Sequence, residues 1–142
     1  MKRIMCIAAL SVAGAAMAHE GVQNPVVAQR MNTMTEIGAA SKVLGDMAKG
    51  AVAFDAVAAR LAAQSISAKA ATIAEQFEAQ ESDPKTEALP AIWENFPDFA
   101  EKAAALEQAA FAADGISSLA EVRGALAEIG ATCSACHKLY RE

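Results

Sequence analysis

The sequence predicts an all-α protein, an antiparallel bundle of four long helices. Three observations carry that reading. Aromatic residues make up 5% of the 142-residue chain, alanine is abundant and runs of β-branched residues are absent, a composition that favours helix. Apolar residues recur at spacings of three and four, the period of a helix with one buried face. Capping and breaking residues then divide the chain into four long helical stretches with short connections, which favours antiparallel neighbours.

Each stretch has its own start and stop. The first runs from about Pro25 to Lys49: Asn24 is the N-cap, Pro25 suits the first turn and Gly50 ends it. The second starts near Asp55, a capping residue, and runs to about Gln80, where Glu81-Ser82-Asp83-Pro84 breaks it. A loop follows, with a short turn around Pro90 to Glu94. The third helix begins near Pro97 and ends before Gly115. The fourth opens on Ser118-Leu119-Ala120-Glu121, a capping box, and continues to about Tyr140.

The N-terminus reads as a secretory signal peptide. Lys2 and Arg3 form a positive n-region, Ile4 to Ala16 is a short apolar run, and Ala16-Met17-Ala18 is an A-x-A cleavage site. The run is too short and wrongly flanked to span a membrane. Cleavage after Ala18 removes 18 of the 142 residues and leaves one domain, His19 to Glu142, with enough chain to bury a core. The expected destination is the periplasm. Loss of Lys2 and Arg3 leaves ten basic against 17 acidic residues, a balance that argues against nucleic acid and anionic membrane surfaces as partners. It permits a basic protein partner. Cys6 leaves with the signal, so the mature chain keeps only Cys133 and Cys136.

Those two cysteines belong to Cys133-Ser134-Ala135-Cys136-His137. C-x-x-C-H is the attachment signature of a c-type haem, in which both thiols form thioethers and the histidine binds iron. On a helix, Cys133 and His137 share a face and Cys136 lies beside the histidine, so one segment grips the porphyrin edge and the metal together. A redox dithiol would be expected after a strand in a βαβ unit, which is absent. A zinc site would need a fourth ligand, and the only other histidine is His19. At a mature N-terminus His19 could bind copper through its amine and ring, but a copper enzyme would need a second histidine and His137 is committed to haem, so His19 reads as a disordered terminal residue.

The motif continues an apolar stripe on the fourth helix: Leu119, Val122, Leu126, Ile129, Cys133, His137 and Tyr140. The predicted fold is therefore a bundle with covalently attached haem c inside it, toward the end of that helix. The first helix offers a facing stripe of Arg30, Met34, Ile37, Ser41, Leu44 and Ala48. Met34 has two readings there, a soft axial ligand opposite histidine or an ordinary core filler. Met31 and Met47 compete with it on the same terms.

With these residues in place, the chain resembles the class II c-type cytochromes, the four-helix cytochromes c′ and their low-spin relatives, the cytochromes c-556. The resemblance covers nearly all of the mature chain. It rests on Arg30 with Met34, on Lys49-Gly50 followed by Phe54-Asp55-Ala56, on Pro90-Ala91-Ile92-Trp93, and on Gly130-Ala131-Thr132 leading into the C-x-x-C-H motif with Tyr140-Arg141. It implies thioethers at Cys133 and Cys136 and iron ligation by His137. It implies Arg30 near a haem propionate, Trp93 packed against the haem and Arg141 beside the proximal histidine. Met34 falls over the distal face, where a methionine binds iron in the cytochromes c-556.

Function divides at Met34. With His137 and Met34 both on the iron, the resemblance implies a non-enzymatic, low-spin electron carrier that meets its redox partners briefly. With Met34 off the iron, it implies a five-coordinate cytochrome c′ that binds nitric oxide or carbon monoxide. A peroxidase-like enzyme would want a distal acid–base histidine, which the sequence does not supply. A homodimer through the first two helices is implied as well; Ala58, Ala59, Ala62 and Ala63 would allow close approach of another helix, either of a second copy or within the bundle.

Overall fold

The computed structural model describes residues 21–142. The signal segment, Cys6, the cleavage site and His19 lie outside the described residues. Helix α1 spans Pro25–Ala48, α2 Ala56–Ala70, α3 Ile73–Gln76, α4 Ala91–Glu94, α5 Phe96–Phe111 and α6 Leu119–Tyr140, with a 3-10 turn over Ala112–Gly115 between α5 and α6. The four long helices form the antiparallel bundle. In it, α1 packs on α2 and α6, and α5 packs on the same two. Among the described residues no helix is long and apolar enough to cross a membrane.

Local chemistry sets most of the ends. The Asn24 side chain accepts hydrogen bonds from the amides of Val26 and Val27 at 2.9 and 3.3 Å. At the other end of α1, Gly50 takes φ +73° and donates to the Met47 carbonyl, while Ala51 donates to that of Asp46. This is a Schellman cap, and its left-handed residue is why glycine stands there. Asp55 caps α2 through the amides of Val57 and Ala58. The Ser118–Glu121 capping box opens α6 with both of its reciprocal bonds.

Helix α2 is shorter than its pattern predicts, ending at Ala70 instead of near Gln80. The Thr72 amide and hydroxyl both bond the Lys69 carbonyl, which draws the chain out of the helical ladder. One turn, α3, follows. Beyond it the carbonyls of Gln76, Ala79 and Glu81 turn toward Arg30 on α1.

The core centres on Leu44, Ile66, Ile92, Ile129 and Val122, all at most 2% exposed. Ala59, Ala62 and Ala63 are buried within the same core. Ala58 is partly buried and packs against it, so these four alanines serve the close packing of this bundle.

Candidate functional site

A cavity of about 370 Å³ opens between α1, α5 and α6. Its α6 wall carries Thr132, Cys133, Cys136, His137 and Tyr140. The stripe of α6 therefore delivers the attachment motif to one surface, because residues three and four apart share a helix face. The α1 wall carries Val27, Arg30, Met31, Met34 and Thr35, and α5 adds Phe99, Lys102, Ala103 and Leu106. Ile73, Phe77, Ile92, Arg141 and residues 86–88 complete it.

The electrostatics suit neutral groups on the α6 wall. Cys133 and Cys136 are free thiols, half-buried, and burial pushes both up from the ordinary thiol value. They stay protonated at neutral pH, unlike the reactive thiolate of a redox dithiol. Burial also pushes His137 down, with the Arg141 charge adding to the effect and Glu87 opposing it. Its imidazole is neutral at pH 7, the form that can bind a metal. Among the described residues no group of three or more His, Cys, Asp or Glu side chains is placed to hold a metal ion.

The structure separates the three methionines. Met31 and Met34 both line the cavity. Met47 is 3% exposed in the core beside Leu44 and is not among the cavity-lining residues.

The two arginines differ from simple expectation. Arg30 lines the cavity at 3% exposure, yet its Nε donates to the Gln76 carbonyl at 2.8 Å and its terminal nitrogens to the carbonyls of Ala79 and Glu81. Its guanidinium lies 4.5 Å from the centre of the Phe77 ring and 5.6 Å from that of Trp93. It is neither a solvated surface arginine nor a free fork. Arg141 lines the cavity at the end of α6, where its side chain pairs with Glu87. Leu89 donates to the Tyr140 carbonyl and Glu142 to that of Glu87, so the 87–89 segment is stitched to the end of α6.

Trp93 is not among the residues lining the cavity. Its indole N–H donates to the Phe77 carbonyl at 2.8 Å, and it backs the wall that Phe77 and Arg30 form. Sequence reasoning missed Phe77, Glu87 and Lys102, because nothing local in the sequence signals contacts made across helices. It also missed the bond from the Tyr140 hydroxyl to Asp98, which joins residues 42 positions apart.

The profile of the cytochrome c′ family matches residues 25–141. The chain belongs to the cytochrome c′ family. It is 42% identical over 110 residues to cytochrome c-554 of Cereibacter sphaeroides, covering 70% of this chain and 69% of that one. It is 38% identical over 117 residues to cytochrome c-556 of Agrobacterium fabrum, covering 81% and 80%. Among solved structures it is similar to cytochrome c′ from Rhodopseudomonas palustris, with TM-score 0.79 and 30% identity over 84% of this chain and 98% of that one. An NMR-validated structural model of oxidised Rhodopseudomonas palustris cytochrome c556 gives TM-score 0.76 and 26% identity over the same shares.

Cytochromes of this family carry covalently attached haem c with its iron. The cavity here fits that group. Its walls are largely apolar, two protonated thiols stand about one helical turn apart on it, and a neutral imidazole follows directly. The chain is thus an electron-carrying c-type haem protein of the cytochrome c′ and c-556 kind.

Proposed function

We propose that this cytochrome is a periplasmic electron carrier whose single haem is bonded to Cys133 and Cys136 and ligated by His137 and Met34. One observation supports the ligand pair above all: Met34 on α1 and His137 on α6 line the same cavity from neighbouring helices. The haem supplies one-electron redox chemistry when bound. His137 presents a neutral nitrogen, and Met34 presents a soft sulfur that favours the ferrous state and raises the potential. Both sit on long, capped helices, so neither has to move far when the charge on the iron changes. No acid–base group is needed, and His137 is the only histidine among the described residues.

The Met34→Ala variant tests the ligand. Loss of the six-coordinate spectrum supports ligation, and an unchanged spectrum removes Met34 from the iron.

A second reading is a five-coordinate, gas-binding cytochrome. Val27 and Leu106 give the cavity apolar wall beside the methionines, and the chain is similar to a point mutant of cytochrome c prime from Alcaligenes xylosoxidans solved as its nitric oxide complex, with TM-score 0.72 and 25% identity. Prompt binding of carbon monoxide by the ferrous protein would favour this reading over the first.

The proposed periplasmic site rests on the N-terminal signal pattern. The partners are redox proteins, and the acidic mature chain favours basic ones. A homodimer is proposed on the resemblance alone. Val57 and Leu61, exposed one turn apart on α2, are apolar side chains open to it.

A further inference from the structure

Beside the attachment motif stands a small charged network that the ligand set does not use. Asp98 and Lys102 lie one turn apart on α5, with Lys102 Nζ 3.4 Å from Asp98 Oδ1. The Tyr140 hydroxyl, on α6, donates to the other carboxylate oxygen of Asp98 at 2.5 Å. Tyr140 is 5% exposed, and its ring meets Phe99 edge-on at 5.4 Å, so this donor is locked in place. Lys102 lines the cavity together with Cys136 and Tyr140.

Ferric iron carries one more positive charge than ferrous iron. A fixed anion near the haem therefore favours the ferric state, and a fixed cation favours the ferrous state. How strongly depends on screening, and less exposed charges are screened less. The Lys102 and Asp98 side chains are 25% and 35% exposed. The other ion pair at the cavity, Arg141 with Glu87, is 50% and 56% exposed. Arg30 also brings a cation, but its guanidinium holds three carbonyls of the wall, so its removal would mix charge with packing.

We propose that Asp98 and Lys102 set the reduction potential of the haem in this chain, Asp98 drawing it down and Lys102 drawing it up. Tyr140 is the positioning residue that holds the carboxylate at the α6 wall. The proposal rests on haem attachment at Cys133 to His137 and is independent of the sixth ligand.

The test is a spectroelectrochemical titration of purified holoprotein for the parent chain and for D98N, K102Q and K102E. At one applied potential, D98N should lower the ferric-to-ferrous ratio about three- to tenfold. K102Q should raise it by a similar factor, and K102E should raise it further. Optical spectra of each oxidation state should not change, which sets a charge effect apart from a disturbed ligand set. Shifts in the same direction for D98N and K102Q, or shifts below about twofold in both, would overturn the proposal. If D98N does not accumulate as holoprotein, the comparison of K102Q with K102E decides: failure of the second charge step to add to the first overturns it. A parent protein without thioether-bonded haem, seen in its alkaline pyridine spectrum, would overturn the attachment itself. Same-direction shifts on a thioether-bonded haem overturn only the charge assignment.

Discussion

Arg30 Nε donates to the carbonyl of Gln76 at 2.8 Å, joining α1 to a segment 46 residues later in the chain. The same guanidinium reaches the carbonyls of Ala79 and Glu81 and stacks over Phe77. Three carbonyls at and beyond the end of α3 accept from one side chain, the Ala79 carbonyl accepting from the Glu81 amide as well, and the wall of the cavity is fixed to the helix carrying Met34. Burial lowers the Arg30 pKa, with Glu81 opposing, yet a guanidinium stays charged at any working pH. The fork is thus a structural clamp first, whatever its remaining donors meet.

The Arg30→Lys variant keeps the charge and loses the fork. It should cost about 3 kcal/mol, because a lysine cannot span three carbonyls and leaves some unpaired. The midpoint of a denaturant titration checks this. An unchanged midpoint would show that the carbonyls find other partners.

The three methionines predict three different outcomes. Met34→Ala should abolish the six-coordinate spectrum. Met31→Ala should keep it, although Met31 shares the cavity wall. Met47→Ala should leave the spectrum alone and cost about 3 kcal/mol, the effect of truncating a buried side chain. Optical spectra and unfolding curves of the same three holoproteins separate these cases.

Gly50 isolates a backbone effect. Its φ is +73°, and a Cβ built there would meet nothing within 4 Å. Gly50→Ala should therefore cost about 1 kcal/mol, from the left-handed backbone alone. The loss should appear in thermal or denaturant unfolding with the optical spectrum unchanged.

Asp83 should make stability depend on acid pH. The amides of Asn24, Lys85 and Gln23 donate to its carboxylate and hold it below the ordinary carboxylate range, against the opposing effect of burial. A group with a depressed folded pKa contributes its stability above its unfolded value and loses it as pH falls through the folded one. Unfolding midpoints should thus fall below about pH 4. Asp83→Asn should lower the midpoint at pH 7 and flatten that dependence. An equally steep acid loss in the variant would move the effect to Asp98 or Glu121, whose carboxyls are also held low.

Legibility followed the range of the interaction. The caps at Asn24, Asp55 and Ser118, and the stop at Gly50, work within a few residues and were readable. The α6 stripe was readable too, because helical period places Val122, Ile129 and Tyr140 on one buried face. The early end of α2 was not, since it depends on Thr72 and on where Arg30 gathers carbonyls. The place of Trp93 behind the wall is set by the Phe77 carbonyl, which no spacing reveals. Asp98 and Lys102 carry no signal in the sequence, because what brings Asp98 to the end of α6 is the Tyr140 hydroxyl, 42 residues away.

The proposed centre is a haem bonded to Cys133 and Cys136 with His137 and Met34 on its iron. The most direct measurement is the optical spectrum of the purified holoprotein, ferric and ferrous, with carbon monoxide added to the ferrous form. A His137 and Met34 pair on the iron would give sharp low-spin ferrous bands, a far-red thioether–iron band in the ferric state and little response to the gas. A broad high-spin spectrum that changes promptly with carbon monoxide would contradict it and leave Met34 as part of an open distal wall.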